Sequence, residues 1–182
     1  LIHGLVILPL LGWTLGGVTP WRFFAGVRKP MAIAFSTASS AATLPVTMDC
    51  LEKNVGASNK ISSFVLPLGA TVNMNGTALY ECVAAMFLAQ AYGLELTFGM
   101  QFSVVLIALV TSIGVAGIPS ASLVAIAIIL GAIGLPVEAI GVLFVFDRIL
   151  DMCRTSINVL GDATCATIVA ALEGEKLGPE AV

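Results

Sequence analysis

"FDRILDMCRTSINVLGD", residues 146–162, sets three aspartates and two arginines into a chain whose neighbouring segments carry almost no charge. An α-helix advances about 100° per residue. From Asp147, the positions Asp151, Arg154, Asn158 and Asp162 therefore fall within an arc of about 80°, with Thr155 just beside it. Ile149, Leu150, Ile157, Val159 and Leu160 cover the other faces. The spacing predicts one helix with a polar stripe, and Arg148, about 100° from Asp147, lies off the stripe, free to snorkel or to sit near an interface.

The rest of the chain says what solvent that stripe avoids. The 182 residues are 58% hydrophobic and only 10% charged, with a mean hydropathy of +1.04. A soluble domain of this length carries roughly a quarter charged residues. Between Ile61 and Phe146 there is no Lys or Arg, and Glu81, Glu95 and Glu138 hold all the charge. Such a segment cannot present a water-facing shell, so a lipid bilayer is the expected surroundings. An ionised group in hydrocarbon costs at least about 2.5–3.5 kcal/mol, and the stripe must face protein, water or a bound ion. An internal salt-bridge network of Asp147 or Asp151 with Arg154 meets that requirement. So does a cation or an amino group, because three carboxylates against one inward arginine leave negative charge uncompensated.

Several function classes fall away. His3 is the sole histidine, which excludes a His-based metal or triad site, and no basic cluster points to nucleic acid. Cys50, Cys82, Cys153 and Cys165 show no ligand-type pairing and are expected to be small buried hydrophobes. "VLGD" at 159–162 has the outline of an intramembrane aspartyl protease motif without its first glycine. Asp147 and Asp162 also lie about 22 Å apart along a helix, too far for a shared-proton dyad. A channel or helix scaffold leaves Asp151 and Arg154 without a task. The apolar start, lacking a basic region or cleavage site, suggests a piece of a longer protein.

Along the chain, residues 1–17 read as the end of a membrane helix, with Trp13 at an interface. The main body, residues 18–172, alternates two kinds of segment. Residues 23–51 and 99–135 each hold two apolar arms around a small, polar tip, "STASSA" in the first and "VAGIPSAS" in the second. A span needs roughly 20 helical residues, so each is expected to be a re-entrant helical hairpin. Residues 61–91 form a spanning helix interrupted by "NMNGT" at 73–77, where turn-forming residues loosen the backbone; unwound backbone at membrane depth is tolerated only against protein or a cavity. Residues 136–172 form the polar-striped helix, and 173–182 an exposed tail. The predicted fold is an all-α membrane protein with two hairpins alternating with two spanning helices, an inverted-repeat transporter core. Arg22, Arg28, Lys29, Lys53, Lys60 and Lys176 all flank the first hairpin or follow the last helix, which puts that side and the C-terminus in the cytoplasm. The expected location is a plasma membrane, a bacterial inner membrane, crossed several times.

The motifs "STASSAATLPVT", "NMNGTALYE", "SIGVAGIP" and "DRILDMCRTSINVLGD" stand in the order found in the glutamate/aspartate transporters, the dicarboxylate/amino acid:cation symporters, and over nearly its whole length the chain resembles that family. The resemblance implies a homotrimer whose subunits each hold a scaffold and a moving transport part, this chain supplying most of the latter. It implies that Arg154 pairs with the side-chain carboxylate of aspartate or glutamate, with Thr77 nearby, and that Asp151 takes the amino group. Thr155, Asn158, the tip at Ser39 and Ser40, and the backbone at Gly117 and Ile118 would hold the remaining groups. The planar fork of Arg suits a carboxylate, and Asp151 favours an amino acid over a plain C4-dicarboxylate, the alternative cargo.

For coupling ions the resemblance implies one Na⁺ among Gly69, Asn73, Asn158 and Asp162, and a second among Thr71, Met74, Ser112, Ile113 and Val115. A third site in the family uses an acidic residue where this chain has Asn75. Glu81 is a candidate for proton exchange or K⁺ coupling, since a carboxylate within a membrane suits such chemistry. No organic cofactor is implied.

Overall fold

The computed structural model describes residues 1–114 and 117–178. Every element there is helical, and no strand occurs among the described residues. A π-helical turn, His3–Ile7, runs into α1 (Leu8–Gly16), which ends on Gly17 at φ +70°. The chain then turns by 116° into α2 (Pro20–Thr37). Proline suits that first turn because its missing N–H would have no helical partner there. Ala38, at φ +52°, closes α2, and Ser39 caps α3 (Ser40–Cys50) by accepting from the Ala42 N–H at 3.2 Å.

The segment around Arg22, Arg28 and Lys29 is therefore helical, the first half of an 18-residue α2 that buries Phe23 and Val27. The arms flanking this tip are unequal, 18 and 11 residues. A π-helical turn, Leu51–Val55, extends α3 beyond Cys50, and Leu51 and Val55 find apolar cover. Ser58 then caps α4 (Asn59–Val72), and α5 (Asn75–Ala91) follows after a two-residue break. α6 (Phe98–Gly114) and α7 (Ser122–Ala132) pack on each other and on α5.

The last helix corrects an expectation. Residues Val137–Val142 form a 3₁₀ turn after Pro136, and the striped helix α8 (Phe144–Leu172) begins only at Phe144. At 29 residues it is the one described helix long and apolar enough by itself to cross a membrane, with α1 and α2 forming a second span only if counted as a bent pair.

α8 is the hub, packing against α1, α2, α3, α4 and α5. One apolar cluster, including Phe23, Leu51, Leu66 and Leu160, joins α8 to the first half of the chain. A second, including Leu88, Val104, Ile126 and Ile129, joins α5, α6 and α7. The outer face is apolar too, with Phe64, Val83, Phe102, Val110 and Val124 all exposed, while Asp147, Asp151, Arg154, Asn158 and Asp162 are buried. That polarity inside and apolarity outside suits a hydrocarbon or protein surround. The cysteines are free; Cys50 is buried, but Cys82 and Cys153 are half-buried and Cys165 is exposed, which corrects the expectation that all four are buried.

Candidate functional site

The break between α4 and α5 arises at Asn73 (ψ +63°) and Met74 (ψ +49°), both outside helical geometry. In a continuous helix the N–H groups of Gly76 and Thr77 would bond the carbonyls of Val72 and Asn73. Here they donate to Asn158 Oδ1 on α8, at 2.7 and 3.3 Å. The Asn158 amide in turn donates to Thr77 Oγ1 at 2.9 Å and faces Met74 Sδ at 3.3 Å. This close docking needs Gly76, where a Cβ would lie 2.6 Å from the Arg154 carbonyl oxygen.

One turn further along α8, Asp162 receives the Asn73 amide at 2.9 Å. Gly69 lies against the same carboxylate; a Cβ there would come within 2.7 Å of Asp162 Oδ1. Gly69, Asn73 and Asp162 are thus brought together, while the Asn158 carbonyl is committed to the neighbouring N–H groups. Asn75 donates to Asn73 Oδ1 at 3.3 Å, and its own Oδ1 is buried without a partner among the described residues.

The arginine end of the stripe is built differently. Arg154 Nη1 donates to Asp147 Oδ1 at 3.1 Å, and Nη2 lies 2.9 Å from Asp151 Oδ1. The Nη2 contact is an ion pair without good hydrogen-bond alignment. The guanidinium also stacks over the Tyr80 ring at 4.2 Å, and the Tyr80 hydroxyl donates to Asp147 Oδ1 at 3.1 Å. Two carboxylates and one guanidinium leave one net negative charge. The internal network open from the sequence is therefore present for two of the three aspartates. Asp147 and Tyr80 belong to this cluster although the resemblance assigns them no role; the shared stripe position of Asp147 was the only signal.

The two helix-pair tips meet above this cluster. Ser39 Oγ donates to the Gly117 carbonyl at 2.8 Å, and the Ala41 N–H approaches it at 3.5 Å. A cavity of about 20 Å³ lies beneath, lined among others by Ser40, Met74, Thr77, Asp151, Arg154 and Thr155. Gly117, Ile118 and Asn158 also line it. That volume takes a water molecule and nothing as large as an amino acid.

Other candidates stand apart. Thr71 and Ser112 turn their hydroxyls back to Leu68 and Leu109 of their own helices, and Ile113 is exposed. Val115 lies outside the described residues. Glu81 is fully buried on α5, where Oε2 accepts from the Thr111 hydroxyl at 2.9 Å, and it does not line the cavity. Arg148 is exposed, as its angular position implies.

Comparison with known proteins finds relatives over most of the chain. An excitatory amino acid transporter of Caenorhabditis elegans is 49% identical over 92% of this chain and 33% of its own length. Human excitatory amino acid transporters 2 and 1 are 49% and 46% identical over 97% of the chain, and 31% and 33% of their own lengths. The chain thus spans about a third of the length of these relatives. Residues 1–172, every described helix included, match the sodium:dicarboxylate symporter family, and the chain belongs to that family.

Proposed function

We propose that the full-length protein is a secondary active transporter that carries acidic amino acids, glutamate or aspartate, together with Na⁺ by alternating access. The observation that carries this reading is the buried Arg154–Asp151 pair lining a cavity where both tips and the α4–α5 break converge. Arg154 offers a fork for a side-chain carboxylate and Asp151 a counter-charge for an ammonium. In the closed arrangement described above, loading requires Arg154 to exchange Asp147 for the cargo and the tips to part. Thr77, Thr155, Asn158, Ser39, Ser40 and the backbone at Gly117 and Ile118 then hold the remaining groups. The relatives named as excitatory amino acid transporters support the same cargo class.

Asp162, with Asn73 and Gly69 beside it, is the proposed Na⁺ position, since hard cations prefer oxygen ligands. Thr71, Met74, Ser112, Ile113 and Val115 are proposed for a second ion, and Glu81 for proton exchange or K⁺ coupling. The α2–α3 and α6–α7 pairs act as re-entrant hairpins of an inverted repeat, and the α6–α7 tip is the outer gate. The protein works as a homotrimer in a plasma membrane with its C-terminus in the cytoplasm, a side supported by the cationic residues at that end.

Radiolabelled glutamate and aspartate uptake by the full-length protein in vesicles tests this, with Na⁺, H⁺ and K⁺ gradients imposed separately. Accumulation driven by an inward Na⁺ gradient is expected. Uptake of succinate in preference to both amino acids would overturn the cargo assignment.

A further inference from the structure

Ser120 sits in the turn that leads into α7 with φ +59°, a left-handed backbone that a residue with a side chain adopts only when something holds it there. Two bonds hold it. Its N–H donates to Asp151 Oδ2 at 2.7 Å, and its hydroxyl donates to Asp147 Oδ2 at 3.0 Å. The other oxygen of each carboxylate faces Arg154. Ser120, Asp151, Arg154 and Asp147 thus close a ring in which one serine bridges both acids.

We propose that Ser120 is a latch that sets substrate affinity by holding this turn shut. Its N–H occupies the carboxylate oxygen an incoming ammonium has to reach. Its hydroxyl anchors Asp147, the partner Arg154 has to release. Opening the turn breaks both bonds and frees a backbone that is otherwise disfavoured, so part of the substrate's interaction is spent displacing an internal competitor. Weakening the latch therefore tightens binding, the opposite of what loss of a substrate-contacting hydroxyl does. The inference rests on the reading that Asp151 receives the amino group of the cargo.

Two measurements on the purified full-length protein test it. Equilibrium binding of radiolabelled L-aspartate and L-glutamate at saturating Na⁺ is expected to show Kd for Ser120→Ala lower by about three- to tenfold, the scale of one hydrogen bond. Ser120→Gly also loses the hydroxyl, but it takes the left-handed backbone without strain and regains part of the closed turn. Its Kd is expected between those of the wild type and Ser120→Ala. Should Ser120→Ala fail to accumulate, Ser120→Cys, a weak donor, is expected to shift Kd the same way by less. An unchanged or raised Kd overturns the latch. Hydrogen exchange over residues 117–122, without any substrate, is expected to speed up in Ser120→Ala, and an unchanged rate also overturns it. Faster exchange together with a wild type that binds neither amino acid would leave the latch standing and sink the proposed function.

Discussion

The two ends of the polar face of α8 solve the same problem by opposite means. Near its N-terminus Asp147 and Asp151 share Arg154 and Ser120, and Tyr80 joins at Asp147, so charge meets charge. About three turns on, Asp162 is as deeply buried and is met by the neutral amide of Asn73. A buried carboxylate held only by an amide is under-compensated. The first end therefore suits an organic ion that trades places with a resident pair, and the second suits an inorganic cation that adds charge.

The largest effect expected from this contrast comes from Arg154→Cys. Removing one partner of a buried ion pair costs about 3–5 kcal/mol, and here it strands two carboxylates. Uptake of acidic amino acids by the full-length protein should fall at least about 100-fold, and undiminished transport would break the distinction between the ends. Asp162→Asn should act on the ion instead. The half-saturating Na⁺ concentration for uptake should rise roughly tenfold, and an unchanged Na⁺ titration would remove Asp162 from the proposed cation position.

Gly76→Ala addresses the seam between the ends. Its new Cβ would meet the Arg154 carbonyl oxygen at 2.6 Å, and forced overpacking of that kind costs about 1–3 kcal/mol. Thermal unfolding of the purified full-length protein should start a few degrees lower, although alanine is ordinarily the better helix former. A raised Tm would show that the break docks less tightly on α8 than described.

The smallest effect belongs to the contact between the segment after α8 and the start of α4. Glu175 accepts from the Ser58 N–H at 2.8 Å and from the Ser58 hydroxyl, and these bonds hold its carboxyl below the ordinary value of 4.5. A group whose folded value is depressed stabilises the fold above its unfolded pKa, and that stability fades as pH falls through the folded value. Glu175→Gln should thus lower Tm slightly at neutral pH, and the difference should fade as the pH falls below the ordinary carboxyl value of 4.5. Melting curves across pH that stay parallel would contradict the contact.

The main features of the site were legible because periodicity and turn chemistry are local. The 100° spacing places Asp147, Asp151, Arg154, Asn158 and Asp162 on one face, and Asn73 with Gly76 marks the break. What stayed hidden was long-range pairing. A stripe position for Asp147 does not say that its neighbour is Ser120 or Tyr80, because those arrive from other helices through tertiary packing. Nor could the start of α8 be read from residues 136–143, where the apolar pattern continues although Pro136 leads into a 3₁₀ turn. The tail likewise reads as an exposed run, yet Glu175 reaches Ser58 across 117 positions and the Gly178 N–H reaches the Val55 carbonyl.

Because one uninterrupted helix carries both Asp151 and Asp162, it works as a ruler whose marks stand eleven residues, about 16 Å, apart. Neither mark can shift along it unless the other does. A single alanine inserted between Thr155 and Asn158 would rotate every later side chain by about 100°, swinging Asp162 away from Asn73 while Arg154 kept its neighbours. On the proposed function, organic and inorganic passengers would then be uncoupled by phase alone, with no charged group altered.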